Sequence, residues 1–377
     1  MQGHITKRAR NTWSIVIELD RDEVTGRRRQ QWVTVRGTKK DAERELIKLL
    51  ADRDQGLTVA TVKTALADYL ASWLETYAAQ SVAPTTFRRY EQFIRVHISP
   101  VIGRIELGKL KPLHVQSVYT AMSERGLSPR TVVQAHRVLR QALQHALKWQ
   151  LVARNVADSA TVPRPERFKP MALEPGQLRD VLTAADETPF GTFFFTAAAT
   201  GLRQSELCGL SWGSTDLDRR TLIVQQSLHW LPKQGFLFRQ PKTATSIRTV
   251  SLSPDTVQRL REHRHQQVQE RLAAGAAYDP LAKQLVFGDS IGRPLHPSNI
   301  RTAWLAIVKQ ADVEGLRVHD LRHAHASALL RAGVHAKVIS ERLGHASIAV
   351  TMDLYGHLTG NLQEDAAKAF DRALANG

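Results

Sequence analysis

The spacing of hydrophobic side chains changes twice along the chain, and each change marks a new kind of element. Over 13–19 apolar residues alternate (Trp13, Ile15, Ile17, Leu19) with mostly polar ones, the period of a half-buried strand. Thr25-Gly26 turns the chain, and 31–35 alternates again, with Val33 and Val35 on one face and Trp32 and Thr34 on the other. Residues 4–7 are expected as a third strand of this sheet. Thr38 then starts a helix, with Asp41 at capping-box spacing. Ala42, Leu46, Leu49 and Leu50 line its apolar side, and Gly56 ends it.

From Thr61 the period lengthens to that of helices. The first carries Val62, Leu66, Leu70, Trp73 and Leu74 on its apolar side, and a second over 85–98 stops at Pro100. Pro112 opens a third, and Ser128-Pro129 opens a fourth that runs to Trp149. Residues 161–171 (TVPRPERFKPM) combine three prolines with no apolar period and read as an extended linker. Beyond it, helices are expected over 175–185, 190–200, 204–210, 254–273, 297–311 and from 320 onward. Segments 221–226, 236–239 and 247–252 are expected to form one short antiparallel sheet. Residues 362–375 read as a last amphipathic helix carrying Leu362, Ala366, Phe370 and Leu374. A chain of 377 residues so patterned is mainly α and should divide into two or three domains.

Charge narrows the class. Lys and Arg number 52 against 36 Asp and Glu, a net charge of +16, which favours a polyanionic partner because neutralised phosphates release condensed counterions. Lys7, Arg8, Arg10, Arg27, Arg28 and Arg29 crowd the strand ends of the first sheet. A sheet edged in this way suits a major groove, and equally a solvated basic face. Arg88, Arg89, Arg95, Lys109, Lys111, Arg130, Arg137 and Arg140 are spread over the helices of 61–155. That distribution fits a helical DNA clamp and also an ordinary bundle with a charged exterior. The one cysteine, Cys208, rules out an internal disulfide and a Cys-rich zinc module, and its helical context makes it a small core residue. No signal core is present and no run approaches the ~18 apolar residues of a membrane span, so a soluble, cytoplasmic protein is expected.

Candidate chemistry lies in four stretches. ATGLRQSELCGL (199–210) sets Arg203 after a glycine turn at a helix start, which suits an anion. PKTATSIRTVSL (241–252) places Lys242 in a turn between two strands, with Arg248 six residues on. In VHDLRHAHASALLRAGV (318–334), His319 and Arg322 share a helix face. ERLGHASIAVTMDLYGHL (341–358) sets His345 after a glycine and Tyr355 ten residues later. Singly, each stretch is weak: a surface arginine, a solvated turn lysine and a structural tyrosine account for them as well.

Their joint order is specific. Arg…Lys…His-x-x-Arg…Leu-Gly-His…Tyr within about 200 residues resembles the tyrosine recombinase (phage integrase) family. The flanking Thr200-Gly201, Glu206-Leu207, Leu210, Leu321, His323, Leu343-Gly344, Thr351 and His357 agree with it. The resemblance implies a multidomain, mainly α protein. Residues 1–57 would be a small β-sheet-plus-helix, arm-type DNA-binding domain, and 61–155 a helical domain binding core sites. A linker (156–171) would lead to a mixed α+β catalytic domain (172–377).

It implies that Tyr355 attacks the scissile phosphorus, forming a 3′-phosphotyrosyl bond and releasing a 5′ hydroxyl. Arg203 and Arg322 would hold the non-bridging oxygens, Lys242 would protonate the leaving oxygen, His319 would take the phenolic proton and His345 would hydrogen-bond the phosphate. Glu206 would orient Arg203, Asp320 would cap its helix, and His323 would support Arg322 or the phosphate. Arg8, Arg10, Arg28, Arg88, Arg89 and Arg137 are the expected DNA contacts. No cofactor or metal is called for. The expected partners are double-stranded attachment sites, three further protomers on synapsed DNA, an excisionase and a host DNA-bending protein.

Two other classes compete. His319-Asp-Leu-Arg-His323, with His325 nearby, imitates the His-Glu-x-x-His zinc helix of a metal-dependent hydrolase, but carries Asp320 where the general base should be. It would also leave Arg203, Lys242 and Tyr355 unused. Residues 334–357 also resemble a helix-turn-helix, as in a regulator that binds DNA without cutting it. A type IB topoisomerase shares the chemistry, but the two preceding small domains and the short tail argue for recombination.

Overall fold

A computed structural model describes residues 3–19, 29–54, 63–166, 173–240, 247–279, 284–345, 347–355, 367, 370–372 and 374–375. The chain divides into two compact units, 1–167 and 168–377.

The first unit opens with an antiparallel sheet in the order β1 (Gly3–Ala9), β2 (Thr12–Leu19), β3 (Arg29–Arg36). Ile5, Ile15 and Val33 lie side by side in register on the face covered by helix α1 (Lys39–Asp54), where a Cβ on Gly3 would lie 2.6 Å from Leu46. Thr38 and Asp41 close the start of that helix: the Thr38 amide and hydroxyl donate to the Asp41 carboxylate at 2.9 and 2.7 Å. Ser14 and Val16, expected on a polar face, are 2% and 1% exposed, because β2 is the middle strand and both of its faces are covered. The end of α1 at Gly56 lies outside the described residues.

The helical part starts later than its periodicity predicts. Residues 64–65 are extended, the Leu107 amide bonding the Thr64 carbonyl and the Leu66 amide bonding that of Ile105, so α2 (Leu66–Trp73) begins only after this pairing. Thr61 and Val62 lie outside the described residues. A widened turn, Leu74–Ala78, and the short α3 (Ala79–Ser81) extend α2. The second run, α4 (Pro84–Phe93), does not stop at Pro100. It passes through a widened turn, Ile94–Ile98, in which the Ser99 amide reaches back to the Ile94 carbonyl, and continues as α5 (Ser99–Ile102). The widened turn accommodates the missing proline N–H. Then come α6 (Pro112–Glu124) and α7 (Pro129–Lys148), the latter capped by the Ser128 hydroxyl. Leu70, Trp73, Tyr119 and Leu139 sit in their common core.

In the second unit, α8 (Pro175–Asp186) precedes α9 (Gly191–Thr200), which is buried on nearly every side and ends at Gly201 in the left-handed region. The short α10 (Gln204–Cys208) follows, with Cys208 buried as expected. The expected single sheet is in fact two. β4 (Thr215–Asp216), β5 (Thr221–Val224) and β8 (Arg248–Ser251) form one, and β6 (Ser227–Leu231) pairs with β7 (Gly235–Arg239) as a separate hairpin. The hairpin closes within its own sequence, through Lys233 and Gly235 at positive φ, so β7 is not available to β5. The helices α11 (Pro254–Ala274), α12 (Pro297–Gln310), α13 (Asp320–Arg331), α14 (Ala336–Leu343) and α15 (Ile348–Tyr355) complete the unit around Phe193, Phe194, Phe287 and Trp304. Of 362–375, residues 367, 370–372 and 374–375 are described as helical, with Phe370 and Leu374 exposed. Among the described residues no helix is long and apolar enough to cross a membrane.

Candidate active site

Three helix ends meet in the second unit. α9 ends at Gly201 with φ +68°, so the chain reverses and Arg203 stands at the start of α10. Glu206, one turn on, accepts the Arg203 amide at 2.8 Å and the Arg203 guanidinium at 2.8 Å. Arg322, on the first turn of α13, is 3% exposed and donates to the Gly201 carbonyl at 2.7 Å and to that of Leu343 at 2.6 Å. Gly344 ends α14, again in the left-handed region, and its carbonyl receives Arg203 Nη2 at 3.5 Å. The two guanidiniums are thus tied to the adjacent carbonyls of residues 343 and 344.

His345 follows directly. Its Nδ1 pairs with the Thr351 hydroxyl at 2.8 Å. Burial, and the charges of Arg322 and Arg203, push its pKa down to about 4, so the ring is neutral near pH 7. His319 stands at the N-cap position of α13, without a capping bond from its ring, and packs edge-on against His323, ring centroids 5.1 Å apart. Partial burial and the charges of Arg322 and Arg203 lower the His319 pKa, while burial and the neighbouring His319 bring His323 down to about 4. Asp320 turns back to Arg317, accepting its amide at 2.8 Å and its guanidinium at 2.7 Å. A cleft of about 430 Å³ opens beside Arg203 and His319, with Leu228, Trp230 and Phe236 in its wall. Cations fixed beside neutral imidazoles suit a phosphodiester, whose charge they offset without a metal.

Two residues of this network carried no role in the sequence reading. Arg248, at the start of β8, has a side chain only 6% exposed; it grips Glu206 through Nη2 at 2.8 Å and Nη1 at 3.2 Å, and the Arg342 carbonyl through Nε at 2.8 Å. Arg342 in turn donates to His325 Nε2 at 3.0 Å and to the Ala199 carbonyl at 3.2 Å. The signal for Arg248 is its place in the strand: it shares the inward face with Val250, and a charge there needs a buried counter-ion. Burial alone would raise the Glu206 carboxyl, but the hydrogen bonds and charges of Arg248 and Arg203 hold it at about 2.

Of the other expected residues, Lys242 lies outside the described residues, between β7 and β8. Tyr355 ends α15, and of it only the helical backbone is described. Arg8 lies over the Trp32 ring at 5.6 Å and Arg10 is exposed beside it in sequence; Arg28 lies outside the described residues. Arg88 and Arg89 on α4 and Arg137 on α7 are exposed. The zinc reading loses its nearby third histidine, because His325 donates Nδ1–H to the Ala198 carbonyl at 2.8 Å and spends its Nε2 lone pair on Arg342. Among the described residues no three His, Cys, Asp or Glu cluster as metal ligands.

Known proteins share this sequence pattern and fold. The chain is 28% identical to a tyrosine recombinase XerC-like protein of Caldanaerobacter subterraneus over 97% of each. It is 30% identical to an integrase of Streptomyces ambofaciens, over 84% of this chain and 82% of that one. The fold matches that of the Tn1549 transposon integrase, solved in complex with transposon right end DNA. That TM-score is 0.70 at 22% identity, over 83% of this chain and 100% of the other. Residues 65–123 match the phage integrase N-terminal SAM-like domain. Residues 172–361 match the phage integrase family, and the chain accordingly belongs to that family as a tyrosine recombinase.

Proposed function

We propose that this site-specific recombinase cuts and rejoins the attachment sites of a phage or other mobile element through Tyr355. The observation that carries the reading is the anchoring of Arg203 and Arg322 to neighbouring carbonyls beside neutral His345. The phenolic oxygen of Tyr355 attacks the scissile phosphorus as the bond from phosphorus to the 5′ oxygen breaks. His319 takes the phenolic proton and Lys242 gives one to the departing 5′ oxygen, so protons balance. A phenol of pKa ~10 needs that help near pH 7. Arg203 and Arg322 offset the charge on the non-bridging oxygens, and His345 donates to one of them. Because the phosphodiester energy is kept in the tyrosyl ester, a new 5′ hydroxyl reverses the step without ATP.

The substrate is double-stranded DNA, bound by the basic helices of 61–155 at core sites and by the Arg-edged sheet of 1–57 at outlying arm sites. Two duplexes, each cut on both strands, require four protomers. The helix expected over 362–375 docks on a neighbouring protomer. An excisionase and a host DNA-bending protein set direction.

The test is incubation with a nicked suicide duplex carrying the element's core site, followed by a denaturing gel. A covalent protein–DNA band is expected, unchanged by a strong chelator and absent in Tyr355→Phe, which still shifts the duplex on a native gel. A band that persists in Tyr355→Phe, or that needs a divalent ion, would refute the reading.

A further inference from the structure

Glu206 is a buried carboxylate with two claimants. Arg203 gives it one guanidinium bond, from Nη1, and keeps its side chain 40% exposed; among the described residues its Nε meets no acceptor. Arg248 takes both carboxylate oxygens and is almost wholly buried. The same guanidinium lies under Gly344, where a Cβ would come within 3.0 Å of Arg248 Nη1, and it holds the Arg342 carbonyl two residues earlier.

A buried carboxylate without a full complement of donors draws the nearest cation onto itself. Without Arg248 that cation is Arg203, and a two-pronged pair with Glu206 would turn its outward nitrogens away from a phosphate. We infer that Arg248 is a positioning residue for Arg203: by saturating Glu206 and fixing the 342–345 turn, it leaves the Arg203 guanidinium facing outward to receive the scissile phosphate. The inference rests on the proposed role of Arg203.

It makes a specific demand: the effect of Arg248 must pass through the charge on Glu206. Gln at position 206 keeps the amide cap of Arg203 but removes that charge. The experiment measures the rate of covalent adduct formation on the suicide duplex for wild type, Arg248→Gln, Glu206→Gln and the double variant, with duplex affinity measured alongside. Arg248→Gln is expected to lose on the order of 100-fold in rate, the scale of a displaced catalytic group, with affinity changed by less than about threefold. The double variant is expected to run at least about tenfold faster than Arg248→Gln and within about tenfold of wild type. A merely structural role would lower duplex affinity together with rate and restore both in the double variant, whereas a positioning role moves the rate alone.

Should Arg248→Gln fail to fold, the comparison of the double variant with wild type still decides, since removing both members of the buried pair leaves neither charge stranded, whereas Glu206→Gln alone leaves the Arg248 guanidinium without its carboxylate. The inference is overturned if Arg248→Gln keeps its rate within about threefold, or if the double variant falls about 100-fold below wild type. Wild type forming its adduct through Tyr355 in the same gel separates that result from failure of the recombinase reading.

Discussion

Gly201 holds φ at +68°, and a Cβ there would lie 2.6 Å from the Leu343 side chain and 2.8 Å from the His325 ring. Its carbonyl also anchors Arg322. The left-handed conformation costs an L-residue about 1–2 kcal/mol, and forcing a methyl into a packed site about 1–3 more. Gly201→Ala should therefore destabilise the second unit by roughly 2–5 kcal/mol in urea unfolding, and slow adduct formation as well. A loss below about 0.5 kcal/mol would show that the site relaxes freely. At this scale the sequence was informative where a side chain acts on its own neighbourhood. Arg203 and Glu206 are three residues apart, and their capping contact follows from that spacing. Arg248 and Glu206 are 42 apart, and spacing says nothing about that bond. Asp320, expected to cap its helix, instead starts α13 and accepts the amide and guanidinium of Arg317 ahead of it, while the N-cap position falls to His319.

The helix α13 gathers His319, Arg322, His323 and His325 on a mostly buried element. Burial holds His323 and His325 near pKa 4 on this helix, and His345 likewise on the adjoining turn. In the unfolded chain each titrates near 6.5. The unfolded state therefore binds protons first, so stability is fully present above about pH 6.5 and is lost as pH falls towards 4. Thermal melts across pH 7 to 4 should show the midpoint falling by several degrees, and His325→Gln should flatten the fall. A midpoint that rises on acidification would mean these rings are charged in the native protein. Among elements, helices were legible because a four-turn apolar stripe and a Pro or Ser cap fix them locally, as in α7. The sheets were not. Alternation marks a strand but not its partner, and the tight turn at 231–235 decides that β6 pairs with β7.

For the whole molecule, the net charge of +16 and the two-unit division bear on how DNA is held. If residues 1–57 serve outlying sites, deleting them should abolish arm-site binding while core-site cleavage persists. Equal loss of both would remove that domain assignment. Binding through phosphates should also weaken steeply with salt, each contact adding about 0.9 to the slope of log affinity against log salt. The family, and with it the grouping of Arg203, Arg322 and His345, was legible from motif order over some 150 residues. Composition, by contrast, favoured a polyanionic partner without distinguishing a DNA-binding face from an ordinary charged exterior.

One feature of the clamp reaches beyond this chain. Apart from the Glu206 carboxylate, the acceptors that seat Arg203 and Arg322 are main-chain oxygens at 201, 343 and 344, which every amino acid supplies. Point mutation cannot delete them. Provided the left-handed turns survive, neighbouring side chains are free to drift over evolutionary time while the guanidiniums keep their seats. Distant cousins at 28% identity would then preserve the reactive geometry far better than their aligned letters suggest.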